Sequence, residues 1–421
     1  METNTLESEI QLIAQKAKVA FFTLSLIDTA TKNKALEAMA SGILANKKAI
    51  LEQNNIDTKQ ALELKLNSAL IDRLTLNENR VEAIAQGLKE MAQLPDPVGE
   101  ILREWSPSNG MNIKQTRVPL GVIGMIYESR PNVTAEAAGL CLKSGNAVIL
   151  RGGREASHSN KILVDIISKA LQSTGLPENA VQFLPPEKRE SIRVLSRLNG
   201  LVDLIIARGS EKMILDISAN ATVPVLGHGK GVCHVYIDKE ADMEKAINIA
   251  FNSKAQRPGV CNAMETLLVH EYMMMDILPK IAGAYIKAGI EMRGDDRVRG
   301  FISQAKEATD SDWGKEFHDK IVAIKIVDSL EEAIEHINKF GSRHTDSIVT
   351  EDKKAATFFQ KAVDSSCVMH NTSTRLHDGS VFGFGSEIGI STQKLHARGT
   401  MGLRELTTTK YIVEGTGQIR E

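Results

Sequence analysis

The stretch GVIGMIYESRPNVTAEAAGLCLKSGNAVILRGGREASHSN, residues 121–160, decides the fold. VPLGVIGMI (118–126) reads as a strand, TAEAAGLCLKSG (134–145) as a helix ending in glycine, and NAVILR (146–151) as a second strand. Two apolar strands joined by a helix form a parallel crossover, because parallel strands need a long connection and lie covered on both faces. The alternation continues through a helix to about Ser173, a strand VQFL (181–184), a short helix, a strand VDLIIAR (202–208), a helix opening at Gly209 and Ser210, and TVPVLG (222–227). This is the pattern of a doubly wound, Rossmann-type α/β sheet, in which ligands bind beyond the carboxyl ends of the strands.

Upstream, Leu6, Ile10, Ile13 and Ala17 share one helical face, as do Leu36, Met39 and Ile43, and Val81, Ile84, Leu88 and Met91. Such stripes are core packing. Downstream, after a helix at about 241–254, METLLVH (264–270), IVAIKIVD (321–328), SIVT (347–350) and CVMHN (367–371) read as strands, with helices at 329–340 and 352–364. They define a second α/β domain. NGMNIKQTRV (109–118) alternates and suits pairing with TTTKYIVEG near the carboxyl terminus. The expected division is 1–108 and 119–255 for nucleotide binding, 256–390 for a catalytic domain, and 109–118 with 391–421 for a β-flap.

The bulk properties narrow the classes. A chain of 421 residues suggests two or three domains. A net charge of −2 and only 4% aromatic residues give no case for nucleic acid or an anionic membrane surface. The first 20 residues mix acids and amides among apolar positions, unlike a signal peptide. Four widely spaced cysteines, Cys141, Cys233, Cys261 and Cys367, form no disulfide framework, so a reducing compartment, the cytoplasm, is expected.

Several motifs carry chemistry. In QRPGVCNAMET (256–266), Cys261 follows a sharp-turn sequence and precedes a strand. It is either an exposed loop nucleophile, with Arg257 favouring the thiolate, or a small buried hydrophobe. Cys141 and Cys233 read as core. Asn132 is either a donor to a developing oxyanion or a helix cap. Arg151-Gly152-Gly153-Arg154 ends a strand with glycines for close backbone approach and arginines suited to phosphate. Gly209 and Ser210 open a helix whose N–H groups suit an anion. No GxGxxG follows the first strand. LGHGKG (226–231) and FGFGSEIG (382–389) are weak signals that fit plain turns. The ten histidines show no metal-ligand spacing, so no metal is expected.

Taken together, YESRPNV (127–133), QRPGVCNAMETLLVH (256–270), AIEHINKFGSRHTDSI (333–348), NTSTRLHDG (371–379) and HARGTMGLRELTT (396–408) resemble the aldehyde dehydrogenase superfamily, from about Gly121 to the carboxyl terminus. The resemblance implies Cys261 as nucleophile and Asn132 as oxyanion donor. It also implies that Arg151 contacts the cofactor ribose, that Gly209 and Ser210 lie near the pyrophosphate, and that Glu316 in WGKEF holds the nicotinamide ribose. Where hydrolytic members carry Glu-Leu-Gly-Gly, this chain has Val225-Leu226-Gly227-His228, so the general base for water is absent. The implied activity is NADPH-dependent reduction of L-glutamate 5-phosphate to L-glutamate 5-semialdehyde through a cysteine thioester, in proline biosynthesis. Arg154 is the expected 2′-phosphate ligand, with Glu155 as the competing feature that would accept from a 2′-OH. Arg130, Asn371 and Ser386 are candidates for the substrate's α-amino and α-carboxylate groups. A glutamate 5-kinase is the implied supplier, and a homodimer or higher homo-oligomer is implied through the flap. The alternatives are another acylating dehydrogenase, acting on an acyl-CoA or a different acyl phosphate, or a non-catalytic dinucleotide-binding protein.

Overall fold

The structure is a computed structural model that describes residues 2–186 and 189–420. The chain divides into two compact units, Met1–Gly227 with Gly383–Gly389 and Met401–Glu421, and His228–Phe382 with Ile390–Thr400.

The first unit holds a five-stranded parallel sheet in the order Val181–Phe183, Ala147–Arg151, Val122–Tyr127, Leu204–Arg208, Val225–Leu226. Every residue of Val122–Tyr127 and Ala147–Arg151 is buried, as continuous apolar runs require in a sheet covered on both faces. The strand that comes first in sequence, Val122–Tyr127, lies between Ala147–Arg151 and Leu204–Arg208, so the chain reverses its direction of travel across the sheet there. The loops that follow Val122–Tyr127 and Leu204–Arg208 therefore flank the topological switch point, the usual ligand position of such sheets.

The expected helical stripes pack as cores. Leu36, Met39 and Ile43 are buried on Thr29–Ala45, and Val81, Ile84, Leu88 and Met91 on Glu78–Gln93. Asp57, fully buried on the helix Lys47–Glu63, ties this layer together. Its carboxylate accepts from the Ser159 N–H at 2.8 Å, the Ser159 hydroxyl at 2.6 Å, the His158 N–H at 3.2 Å and His158 Nδ1 at 2.8 Å. The helix Ser157–Ser173 has no side-chain cap of its own, because Ala156 stands at its N-cap. Asp57 supplies the missing acceptor and sets a negative charge against the positive end of that helix.

The second unit holds a seven-stranded parallel sheet: Lys306–Glu307, Glu291–Gly294, Ile321–Val327, Met264–His270, Cys233–Ile237, Thr345–Val349, Cys367–His370. One face packs Val235, Leu267, Val269 and Ile324, and the other packs Tyr236, Leu268, Ile348 and Phe359. The boundary differs from the expected one. Cys233–Ile237 pairs with Met264–His270 and Thr345–Val349, so the crossing falls at Gly227 and not at 255. The helix Met274–Lys287, the strand Glu291–Gly294 and the helix Asp296–Phe301 had no counterpart in the sequence reading.

The segment 109–118 does pair with the carboxyl-terminal strand. Asn112–Pro119 runs antiparallel to Thr407–Glu414, with Ile113 opposite Val413. Ile101–Trp105 adds a third strand on the other side, where no element was expected. This sheet clusters with the first unit and keeps Trp105, Tyr411 and Val413 exposed.

Asp57→Ala leaves the start of the helix Ser157–Ser173 without its acceptor inside a buried layer. We expect a loss of about 3 kcal/mol in urea unfolding, from charge-assisted hydrogen bonds and the helix-end charge together. A loss under about 0.5 kcal/mol would show that water replaces the carboxylate.

Candidate active site

Cys261 sits on the turn between the helix Met243–Ala255 and the strand Met264–His270. The turn is held from two sides. Asn262 donates from Nδ2 to His377 O at 3.0 Å, and the Arg375 guanidinium bonds Asn262 Oδ1 and, at 2.9 Å, Gln256 Oε1. On the other side, the Cys233 thiol donates to the Cys261 carbonyl at 3.2 Å. Gly231 lies against that same carbonyl so closely that a Cβ there would sit 2.1 Å from the oxygen. LGHGKG is therefore more than a turn: its last glycine is the seat of the cysteine loop.

The same segment contributes His228. The ligating atoms of His228, Cys261 and His344 all lie within 4.8 Å of one another, and the two imidazole rings meet edge to face at 5.2 Å. The three residues precede three adjacent parallel strands, Cys233–Ile237 at the centre with Met264–His270 and Thr345–Val349 on either side. They meet at the amino ends of those strands, opposite to the end where the doubly wound rule directs attention.

Burial pushes the Cys261 thiol up, but the charge of His344, with the hydrogen bond and charge of His228, outweighs it and holds the thiol well below its ordinary range. This is the electropositive, partly exposed setting that makes a cysteine a nucleophile. Arg257, expected to favour the thiolate, is exposed, and the groups that lower the thiol are the two histidines. The other cysteines differ. Burial raises Cys141 and Cys233, and Cys367 is pushed up to about 11, by burial first and the charge of Asp346 second. Behind the loop, Lys254 and Glu265 form a fully buried ion pair at 2.6 Å.

Glu316 and Asn371 belong to the same unit as Cys261. Glu316 is half-buried, 3.3 Å from His318 Nε2. Asn371 is committed elsewhere: its Oδ1 accepts from Thr350 N and its Nδ2 donates to Thr350 O, both at 3.0 Å. It braces the ends of the strands Thr345–Val349 and Cys367–His370.

The remaining candidates belong to the first unit. Asn132 is the second residue of the helix Pro131–Lys143, whose N-cap position is Arg130, so Asn132 is not the cap. Its Nδ2 donates to Glu136 at 2.9 Å on the same helix. Arg151 is buried, and its nitrogens donate to Gly152 O at 2.9 Å and to Pro186 O and Ser191 Oγ at 3.3 Å, which holds the loop after its strand. Arg154 is exposed, whereas Glu155 Oε1 accepts from both Ser129 N and Ser129 Oγ at 2.7 Å. At the switch point, the Ser210 N–H donates to Glu128 Oε2 at 2.9 Å, and Gly209 lies against the same carboxylate. An internal anion thus already occupies the helix start proposed for phosphate. Ser386 lies in the segment Gly383–Gly389 and is half-buried.

A cysteine loop with a lowered thiol before one parallel sheet, and a doubly wound sheet in the other unit, fit an oxidoreductase of the aldehyde dehydrogenase type. The model of the aldehyde dehydrogenase family matches residues 3–320, and the chain belongs to that family. A nicotinamide dinucleotide is the cofactor of this class. Within the family, the chain is 50% identical over 416 residues to gamma-glutamyl phosphate reductase of Halothermothrix orenii, covering 99% of this chain and all of that one. It is 51% identical over 413 residues to gamma-glutamyl phosphate reductase of Moorella thermoacetica, covering 98% and 99%. The crystal structure of gamma-glutamyl phosphate reductase from Thermotoga maritima superposes with a TM-score of 0.96 at 44% identity, covering 98% of this chain and 100% of that one. Among the described residues, no helix is long and apolar enough to cross a membrane.

Two outcomes test the site. Brief treatment with iodoacetamide at neutral pH labels Cys261 before Cys367, and labels Cys141 and Cys233 only after unfolding, as read by peptide mass spectrometry. Equal labelling of Cys261 and Cys367 would contradict the electrostatics described. Gly231→Ala displaces the Cys261 carbonyl and lowers kcat about a hundredfold, the scale of a 1 Å misplacement, and also lowers the thermal unfolding temperature, because the added Cβ meets backbone rather than a movable side chain.

Proposed function

We propose that the chain reduces L-glutamate 5-phosphate to L-glutamate 5-semialdehyde and phosphate with NADPH, through a thioester on Cys261, as the second step of proline biosynthesis. The observation that carries the reading is the thiol held low between His228 and His344, in a chain half identical over nearly its whole length to reductases named for this substrate.

In this reading the Cys261 thiolate attacks the γ-carbonyl of the acyl phosphate, the C–S bond forms and phosphate departs. The backbone N–H of Cys261 and the Asn132 amide are the assigned donors to the oxyanion. Phosphate is a good leaving group, so the thioester forms without a strong acid. Bound NADPH supplies the hydride that reduces the thioester carbonyl. The resulting thiohemiacetal expels the thiolate, which returns to the field of the two imidazoles. Val225 stands where hydrolytic relatives carry a glutamate, so no carboxylate there activates water against the thioester.

Features of the first unit fit the cofactor. The Ser210 N–H already binds the Glu128 carboxylate, an anion that a pyrophosphate would displace. Arg154 is exposed while Glu155 is held by Ser129, which favours Arg154 as the ligand for a 2′-phosphate over Glu155 as the acceptor for a 2′-OH. Arg151 and Glu316 remain assigned to the two riboses by family position, and Gly209 with Ser210 to the pyrophosphate. Arg130 suits the substrate α-carboxylate by charge, with Ser386 as a second polar contact. We further propose cytoplasmic location, a glutamate 5-kinase as supplier, and a homo-oligomer formed through the three-stranded flap, whose Trp105, Tyr411 and Val413 are exposed.

The test is the reverse reaction, with glutamate 5-semialdehyde, NADP⁺ and phosphate, followed by NADPH absorbance. We expect strict dependence on phosphate, and dependence on coenzyme A instead would assign the chain to acylating dehydrogenases of another substrate. Cys261→Ala abolishes turnover and keeps NADPH binding. Asn132→Ala lowers kcat by about 10²–10³ if the amide holds the oxyanion. Arg154→Ala narrows the preference for NADPH over NADH through lost NADPH affinity, and an unchanged ratio would remove Arg154 from the 2′-phosphate site.

A further inference from the structure

The histidines beside Cys261 do more than tune its charge. A thiolate and two imidazoles within 4.8 Å of one another are a donor set for a soft divalent cation. Tetrahedral zinc binds sulfur at about 2.3 Å and imidazole nitrogen at about 2.0–2.1 Å, so its ligand atoms stand roughly 3.3–3.6 Å apart. The three atoms here need to close by at most about 1.5 Å, which small side-chain rotations can supply.

The surroundings are those of built metal ligands. His228 Nδ1 lies 2.9 Å from the Ile390 carbonyl, to which it can only donate, so the neutral ring would carry its lone pair on Nε2. His344 Nδ1 is engaged at 2.7 Å by Thr345 Oγ1, which in turn meets His377 Nδ1 at 2.7 Å. The remaining nitrogen, His344 Nε2, is buried without a hydrogen-bond partner, on a side chain with no exposed surface. Such outer contacts fix the ring and the tautomer of a ligating histidine. Cys261 is held on its own side by Cys233 and Gly231, so the sulfur is presented from a clamped turn.

We propose that His228, Cys261 and His344 form a three-ligand Zn²⁺ site whose occupancy blocks the nucleophile, so that the enzyme is reversibly inhibited by the metal. Three protein ligands leave a fourth position open, filled by water, which keeps the ion accessible to chelators, unlike a closed four-ligand structural site. Binding forms one Zn–S bond with the cysteine thiolate and two Zn–N bonds with neutral imidazoles, and it releases to water any proton that the thiol or either ring carried. The sulfur electron pair needed for attack on an acyl phosphate is then shared with the metal. The inhibitory consequence rests on the reductase reading, but the binding itself does not.

The test uses the full chain, stripped of metal with a chelator, and Zn²⁺ alone as probe. Titration against a chromogenic chelator is expected to show one Zn²⁺ per chain. Zn²⁺ is expected to protect Cys261 from iodoacetamide and to stop the phosphate-dependent reverse reaction until EDTA is added. His228→Ala, His344→Ala and Cys261→Ser are each expected to weaken binding at least about tenfold, since even an outer-shell partner is worth about 10–100-fold. If a variant loses its cooperative melting transition, Co²⁺ on the wild-type chain gives a second readout, a thiolate-to-cobalt charge-transfer band with tetrahedral ligand-field bands. Zn²⁺ binding equally well to the three folded variants, an unprotected Cys261, or a Co²⁺ spectrum without the thiolate band would each overturn the proposal. Failure of turnover with semialdehyde, alongside intact Zn²⁺ binding and protection, would strike the reductase reading and leave the site standing.

Discussion

A thiolate held between two imidazoles is costly to assemble and useful once assembled. Burial alone would neutralise Cys261, as it raises the thiols of Cys141 and Cys233, the latter helped by the charge of Asp346. His344 and His228 reverse that outcome at Cys261, and much of the local structure serves to keep the three groups together. Gly231 lets one loop lie on the cysteine carbonyl, Cys233 donates to it, Asn262 and Arg375 brace the turn, and Ile390 and Thr345 orient the rings. The parallel sheet makes this arrangement possible, because three adjacent strands deliver three sequence-distant loops to one edge.

The first unit is built on a different constraint. Its strand order puts the loops after Val122–Tyr127 and Leu204–Arg208 at the switch point, and both meet at Glu128. A carboxylate on the Ser210 N–H keeps that helix start satisfied and marks it as a place where negative charge is stable. Asp57 uses the same physics away from the switch point, where it caps Ser157–Ser173 from another helix. One anion stands at the sheet edge, where the proposed pyrophosphate would displace it. The other is sealed in a helical layer and serves stability.

Much of this was legible in the amino-acid order. The buried parallel strands announced themselves as unbroken apolar runs, and the carboxyl-terminal strand found its partner at Asn112–Pro119 through alternation. Ile101–Trp105 escaped because all five of its residues are exposed, which leaves no burial pattern to read. The unit boundary escaped because the decisive fact, that Cys233–Ile237 pairs with Met264–His270, is a long-range pairing. His228 and His344 stood inside quoted motifs, yet they are 116 positions apart, and a search for metal or catalytic spacing along one element cannot join them. Cys261 was found by its turn chemistry and family likeness, but its electrostatic partner was misread as Arg257, the nearest cation in sequence. The lesson is geometric. In a parallel sheet, residues just before adjacent strands are neighbours, and the strand order that reveals this is set by tertiary pairing.

The central claim is that Cys261 carries the acyl group. The most direct measurement is to mix the enzyme with glutamate semialdehyde and NADP⁺ in the absence of phosphate and follow both absorbance and peptide mass. Without an acceptor for the acyl group, turnover should stop after a burst of one NADPH per active chain, with a glutamyl adduct on the peptide that holds Cys261. Addition of phosphate should then discharge the adduct. No burst and no adduct, or an adduct on another residue, would contradict the thioester account.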